Sequence, residues 1–241
     1  SNADITAPNG TLSSFTASAD GLIWTATFTP NVDTEAASNT LSLGTAYTDE
    51  AGNAGTTAQA SYAVDTKAPV FTVQLDDASN SAAKTDRLTN DSTPTISGTG
   101  TTGDTIQVTM PGTLEVLSTT VDANGQWSVT PTLVIASGNV SVTAQDAAGN
   151  TSPAQSLALV IDTSVATPTV ALVCDSGTSS SDKISQSGVI NVSGLEAGAT
   201  VEYSIDGTTW GTTFAAAEGS NTVQVRQTDT AGNVSATSSL S

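Results

Sequence analysis

The pentapeptide Asp-x-Ala-Gly-Asn occurs three times in this chain, at residues 49–53, 146–150 and 229–233. A segment in which apolar and polar residues alternate precedes each copy, and another such segment follows it. Glycine tolerates the positive φ that tight turns need, while Asp and Asn fold their side chains onto nearby backbone N–H groups. The repeat therefore predicts equivalent turns between paired strands. Its leading Asp either serves the turn alone or also binds a cation.

The rest of the chain is typical of an all-β protein, because short runs of β-branched and small residues alternate with Gly, Asn, Asp and Pro. Residues 67–163 predict seven strands, at 70–75, 93–98, 105–110, 114–119, 126–130, 139–145 and 155–161. Seven short antiparallel strands with a turn after each are typical of an immunoglobulin-like β-sandwich. The sequence thus predicts tandem immunoglobulin-like domains in an elongated array.

Domain boundaries are expected where a strand ends in Val-Asp-Thr or Ile-Asp-Thr and a proline follows, at Asp65 and at Asp162. The predicted units are residues 1–66, 67–163 and 164–241. Residues 1–3 are typical of the remnant of a cleaved tag and are left out of the first unit. That unit is too short for all the early strands, so we expect it to be truncated or a reduced sandwich. The third is a shorter version of the second, with a strand predicted at 209–214.

Composition argues against several functions. The chain has 23 acidic and 5 basic residues, for a net charge of -18, which disfavours nucleic acid and anionic lipid as partners. No apolar run approaches the roughly 20 residues of a membrane span, so membrane insertion is not expected. Without histidine the chain has no Ser-His or Cys-His dyad and no His-based zinc site, and we expect no enzyme. The single cysteine, Cys174, is predicted to be buried, and Trp24, Trp127 and Trp210 are predicted to anchor one core each.

Several motifs together carry a family likeness. They are the three turns, the closing Val/Ile-Asp-Thr, the segment Thr-Asn-Asp-Ser-Thr-Pro-Thr-Ile-Ser-Gly at 89–98, Asp-Ala-Asn-Gly-Gln-Trp at 122–127 and Val-Glu-Tyr-Ser-Ile-Asp-Gly at 201–207. The chain resembles the bacterial immunoglobulin-like repeats of large secreted, calcium-binding RTX-type surface adhesins, over nearly all of residues 67–241 and the later part of the first unit. The resemblance implies an extracellular location at the bacterial surface, neighbouring repeats as partners, and attachment or biofilm formation. It also implies Ca²⁺ near the domain junctions, and a host or surface ligand bound by other domains.

Strand direction in such a sandwich brings acidic loops to both predicted junctions. The acids expected at the first are Asp65, Asp104, Asp122, Asp146, Asp33 and Glu35; those expected at the second are Asp162, Glu196, Asp229, Asp86 and Asp91. Carboxylates about 4 Å apart repel by roughly 1 kcal/mol in water and roughly 4 kcal/mol at an effective dielectric of 20. Ca²⁺ accepts oxygen ligands in irregular geometry and suits ligands from different loops. The acids therefore either bind Ca²⁺ or serve solubility and capping.

The leading hypothesis is an extracellular spacer whose tandem domains are made rigid by Ca²⁺ in support of cell attachment or biofilm formation. One alternative is a receptor-binding or glycan-binding immunoglobulin-like module. Another is an accessory domain of a polysaccharide-degrading enzyme.

Overall fold

The protein is described here by a computed structural model that covers residues 4–81, 83, 85–113 and 115–241. These residues form eighteen β-strands and no α-helix, so the all-β prediction is confirmed. Within the same ranges, no helix is long and apolar enough to cross a membrane.

The middle unit is a sandwich of two sheets. It contains strands β6 to β13, numbered in chain order after the five strands of the first unit. They are Gln74–Leu75, Leu88–Thr89, Ile96–Thr99, Thr105–Thr109, Val116–Thr120, Gln126–Val129, Gly138–Gln145 and Gln155–Ile161. One sheet has the order β10-β9-β12-β13-β7, and the other has the order β11-β8-β6. All neighbours are antiparallel except β13 and β7.

The core of this unit lies between the two sheets because its strands alternate. Along β12, Val140, Val142 and Ala144 are buried, while residues between them face outward. Ile96 and Trp127 meet them from the opposite sheet. A strand's side chains alternate between its two faces, so each sheet contributes one apolar face and one solvated face. This sandwich fixes the positions of the loops at its two ends.

The first unit has far fewer buried residues. Its strands are β1 Ile5–Thr6, β2 Gly10–Ala17, β3 Trp24–Pro30, β4 Glu35–Leu43 and β5 Ala58–Asp65. Strands β1, β4 and β5 form one sheet, and β2 pairs with β3 in a separate hairpin. Phe28 packs edge-on against Tyr62, with ring centroids 5.2 Å apart, and this contact joins the hairpin to the sheet.

The third unit consists of two small sheets. Its strands are β14 Thr169–Leu172, β15 Ile190–Ser193, β16 Thr200–Ser204, β17 Val223–Thr228 and β18 Ser238–Leu240. Strand β14 pairs with β15, and β17 lies between β16 and β18. The inward side chains of β17 are Val223, Val225 and Gln227, all at most 2% exposed.

Several predicted strands are corrected. The predicted strand at 70–75 narrows to Gln74–Leu75, and the predicted strand at 114–119 becomes Val116–Thr120, with residue 114 outside the described residues. No strand forms at 209–214, because the Asp206 carboxylate accepts the backbone N–H groups of residues 208 and 209 and holds a turn there. The two-residue β7, which pairs in parallel with β13, was not predicted.

The predicted cores are confirmed only in part. Trp127 is buried, but Trp24 is 67% exposed at the loop end of the β2–β3 hairpin, so it anchors no core. Trp210 is half-buried and lies against the Arg226 guanidinium, 4.1 Å from the ring centroid. Cys174 is exposed, because it follows β14, which is paired on one side only.

We expect the two tryptophans to respond oppositely to truncation. Trp127→Ala should lower the free energy of unfolding of the middle unit by about 3–5 kcal/mol, because it opens a cavity in a packed core. Trp24→Ala should change stability by less than about 0.5 kcal/mol, because its side chain is solvated. Denaturant unfolding followed by circular dichroism measures both, and equal losses would contradict this assignment.

Candidate metal centre

The three Asp-x-Ala-Gly-Asn turns are equivalent, as predicted, but the asparagine side chain donates to the Asp carboxylate and does not bind a backbone N–H group. In the first, the Asp49 carboxylate accepts the backbone N–H of Asn53 at 2.8 Å and its side-chain amide at 2.8 Å. Gly52 has φ 85°, and the equivalent glycines of the other turns have φ 94° and 90°. A bridge between residues 48 and 54 closes the turn. These bonds to the carboxylate, the Asn53 side chain first, lower the pKa of Asp49.

In the second turn the same asparagine also reaches the preceding unit. The Asn150 side-chain amide donates to Asp146 Oδ2 at 2.8 Å and lies 3.2 Å from both the backbone oxygen and Oδ1 of Asp65. Asp65 ends β5 and begins the linker to the middle unit. We call this region, formed by Asp65, Asp104, Asp146 and Asn150, the first junction. Asn150 therefore connects the turn of one unit to the linker of the other.

Asp104 lies at the first junction with an unusual environment for a carboxylate. It is 5% exposed, and its Oδ2 is buried without a hydrogen-bond partner. Its own backbone is fixed, since Asp104 N–H donates to the carbonyl of residue 101 and its carbonyl accepts the N–H of residue 121. Burial, followed by the negative charges of Asp146 and Asp65, raises the pKa of Asp104 above its ordinary value. An ionised, unpartnered oxygen in this position is costly unless a cation neutralises it.

The chemistry of these side chains suits a hard cation. Asp65, Asp104 and Asp146 offer only carboxylate oxygens, and Ca²⁺ takes six to eight oxygens in flexible geometry. Within the described ranges, no three His, Cys, Asp or Glu side chains form a group that could hold a metal by themselves. Backbone carbonyls and water would therefore have to complete the coordination of an ion here.

The remaining acids predicted for this junction have partners of their own, although Glu35 lies beside the linker, where it pairs in register with Asp65. The Asp122 carboxylate accepts the N–H groups of residues 124 and 126 within its own turn, and these bonds lower its pKa. Glu35 pairs with Lys67 at 3.2 Å, and Asp33 is exposed in the β3–β4 loop. The assignment of these residues as ligands stays a prediction.

The second junction, around Asp162, repeats the asparagine contact. The Asn233 side-chain amide donates to Asp229 Oδ2 at 2.8 Å and to the backbone oxygen of Asp162 at 2.7 Å. Glu196 Oε1 accepts the backbone N–H of Ala166 at 2.7 Å. Among the predicted ligands of this junction, Asp162, Glu196 and Asp229 thus lie near the linker and the turn.

Asp86 and Asp91 cap their own loop. Asp86 Oδ1 accepts the N–H of residue 88 at 3.1 Å. The Asp91 carboxylate accepts the N–H of residue 93 at 2.8 Å and the Ser79 hydroxyl at 3.1 Å. This loop does contact the third unit through the Ser81 hydroxyl, which donates to the backbone oxygen of Ala231. The backbone of this loop also reaches the linker, because the Asp162 N–H donates to the carbonyl of Thr89 at 2.9 Å.

The strand register shows that the two junctions differ at one decisive position. Residue 105 pairs with residue 145, and residue 200 pairs with residue 228, so Asp104 and Ala199 precede equivalent strands. Both backbone N–H groups donate to the carbonyl three residues earlier. The third unit therefore carries Ala199 where the middle unit carries Asp104. Glu196, which the sequence suggested as the counterpart of Asp104, occupies the position of residue 101.

Comparison with protein families matches two parts of the chain to the description "Bacterial Ig-like domain". One match covers residues 67–163, and a second family with the same description matches residues 1–64. The chain contains tandem bacterial Ig-like domains. This confirms the predicted family and fold class. The division at residues 66 and 163, and a third domain at 164–241, stay predictions.

Three solved structures to which this chain is similar are parts of adhesins or adhesion proteins. One is a Ca²⁺-stabilized adhesin that helps an Antarctic bacterium bind ice: identity is 25%, the TM-score is 0.41, and 92% of this chain and 60% of that chain are covered. A 1.5-MDa bacterial ice-binding adhesin has 24% identity, a TM-score of 0.41, and coverage of 92% and 79%. A tetra-tandem repeat from the extending region of a large adhesion protein has 20% identity, a TM-score of 0.32, and coverage of 97% and 66%. No curated protein sequence matched.

Sequence reasoning missed the role of the last residue of the motif in these bacterial Ig-like domains. It assigned the cation contact to the leading Asp, whereas Asn150 and Asn233 make the contacts between units. The signal was present, because the asparagine occurs in all three copies although a turn requires only the glycine and one capping side chain.

The first copy of the motif provides a control for the Asn150 contact. Asn150→Ala and Asn53→Ala both remove an amide bonded to the leading Asp, but only Asn150→Ala also removes the contact with the linker. In the presence of chelator, we expect Asn150→Ala alone to widen the distribution of distances across the first junction. Pulsed electron spin resonance measures this distance distribution between spin labels at Gln59→Cys and Ser156→Cys, in a Cys174→Ser background. Equal widths for the two variants would refute a linking role for Asn150.

The pKa of Asp104 gives a second prediction. The pKa of Asp104 is raised above the usual 3.8, so the folded chain holds this proton more tightly than the unfolded chain does. The contribution of Asp104 to stability therefore falls as the pH rises from its pKa in the unfolded chain through its pKa in the folded chain. In chelator, the free energy of unfolding of the wild type relative to that of Asp104→Asn should therefore be lower at about pH 7 than at about pH 3. Denaturant unfolding at both pH values measures this difference, and no change with pH would contradict it.

Proposed function

We propose that this chain is a non-enzymatic spacer segment of a bacterial surface adhesin, located outside the cell, in which Ca²⁺ at the first junction holds two domains in a fixed orientation. The family match and the short linkers support a tandem array of this kind. The function of such a spacer is to hold a binding domain away from the cell in attachment or biofilm formation. Its immediate partners are the neighbouring repeats of the same chain.

The single observation that carries the calcium proposal is the buried, unpartnered Oδ2 of Asp104. Close to it are the charges of Asp146, in the turn of the same domain, and Asp65, at the end of the preceding domain. A cation bound by all three would have ligands from both domains. Its binding free energy then favours the docked arrangement over any arrangement in which the domains have separated.

The geometry also explains how the linker takes part. The Asn150 amide holds the backbone of Asp65 beside the turn, so the Asp65 carboxylate does not have to be ordered by the ion alone. Asp146 is similarly fixed by bonds from residue 150 to both of its oxygens. Ligands that are already positioned lose less conformational freedom on binding, which increases affinity.

Calcium titration tests the site directly. Wild type should show a saturable site in calorimetry or terbium luminescence, and Asp104→Asn should lose it, because the substitution removes the buried charge. Glu50→Gln is the matched control, since it removes one negative charge from an exposed side chain of the first domain. If Asp104→Asn binds Ca²⁺ as wild type does, this site is refuted.

The structural consequence is tested by small-angle scattering and thermal unfolding. Adding Ca²⁺ in about 100-fold excess over its dissociation constant should stabilise the docked wild type by about 2.7 kcal/mol. It should also narrow the range of domain orientations that fits the scattering. Asp104→Asn should show neither response. Identical scattering profiles in chelator and in Ca²⁺ would contradict the proposal.

A further inference from the structure

A buried glutamine side chain of the third unit holds the linker that follows Asp162. Gln227 is 0% exposed, and its Nε2 donates to the backbone oxygens of Ala166 at 2.8 Å and Gly194 at 3.0 Å. Its Oε1 accepts the backbone N–H of Glu196 at 2.9 Å. Both amide hydrogens and the amide oxygen thus have partners. Three backbone groups, one in the linker and two in the β15–β16 loop, are held by one side chain.

The middle domain has no counterpart to this side chain. Gln227 N–H donates to the Ser235 hydroxyl, and in the middle domain Ala144 N–H donates to the Ser152 hydroxyl in the same way. Ala144 therefore occupies the position of Gln227. The first junction combines Asp104 with Ala144, whereas the second combines Ala199 with Gln227. A buried carboxylate in one junction is replaced by a buried amide in the other.

The buried carboxylate of Asp104 and the buried amide of Gln227 differ in what they need to be stable away from water. A buried carboxylate without a partner needs an external positive charge. A buried amide whose donors and acceptor are all bonded needs none, and breaking its bonds leaves several polar groups buried without partners. At the second junction, Glu196 Oε1 adds a bond to the N–H of Ala166, the residue whose carbonyl Gln227 holds.

We propose that Gln227 clamps the second junction without a bound cation, so that the chain contains one cation-dependent joint and one cation-independent joint. The contrast with the first junction rests on the proposed function, but the clamp itself does not. Asn233 assists by holding the backbone oxygen of Asp162, and the Ser81 hydroxyl adds a contact with Ala231 from the opposite side of the junction. The linker is thereby fixed through its main chain at residues 162 and 166.

Distances across both junctions test this in the wild-type background. The labels at residues 59 and 156 report on the first junction, and labels at Ser156→Cys and Ser239→Cys report on the second, each pair with Cys174→Ser. On addition of chelator, we expect the distribution to widen across the first junction and to stay unchanged across the second. Widening across the second junction overturns the clamp and leaves the proposed function standing. No widening across either junction overturns the calcium proposal and leaves the clamp standing.

Substitution of Gln227 provides an independent test of the clamp. Gln227→Ala should widen the distribution across the second junction to the same extent with Ca²⁺ and with chelator. Gln224→Ala, three residues earlier on β17 where the side chain is partly exposed, should leave it unchanged. Circular dichroism establishes whether Gln227→Ala is folded, and if it is not, the chelator response of the wild type decides. A folded Gln227→Ala chain with the wild-type distribution overturns the proposal.

Discussion

The bond between the leading carboxylate and the final asparagine of each Asp-x-Ala-Gly-Asn turn is the contact on which the junctions depend. By accepting both the backbone N–H and the side-chain amide of the asparagine, the carboxylate fixes the direction of that amide. The amide then meets the linker at the same place in both junctions. A hydrogen bond within one turn thus also determines where that turn contacts the linker from the preceding domain.

The acidic side chains of the turns and the carboxylate of Asp104 have different environments. The net charge of -18 comes from acids that lie mainly in turns, and some of them, such as Asp49 and Asp122, accept backbone N–H groups that lower their pKa. Asp104 is the exception, because it is buried and its pKa is raised. A carboxylate that accepts hydrogen bonds within its own turn does not by itself indicate a metal ion, so the calcium proposal rests on the unpartnered oxygen of Asp104, with Asp146 and Asp65 beside it.

The sequence predicted the middle domain well and its neighbours less well, for physical reasons. Alternation of apolar residues is strong along β9, β12 and β13, where two sheets cover the core, and those strands were found with nearly correct ends. Trp24 and Cys174 were misjudged because burial depends on what packs against a strand, and hydrophobicity alone does not specify a neighbour. At the site, loop direction predicted that Asp65, Asp104 and Asp146 lie at one junction, where Asp146 and Asp65 raise the pKa of Asp104, and their role as ligands stays a prediction. The equivalence of Asp104 with Ala199 required the strand register, and Gln227 carried no pattern that distinguishes a buried amide from an exposed one.

Both asparagine contacts end on a main-chain oxygen of the linker, that of Asp65 or that of Asp162. Every amino acid supplies that oxygen, so the recognition does not depend on the identity of the residue that provides it. Modules joined in this way are interchangeable in principle: a new domain inserted into the array meets a compatible neighbour as soon as its last strand leads into an extended linker. A long array of such domains could thereby lengthen or shorten by gain and loss of whole modules, without coordinated change at each new boundary.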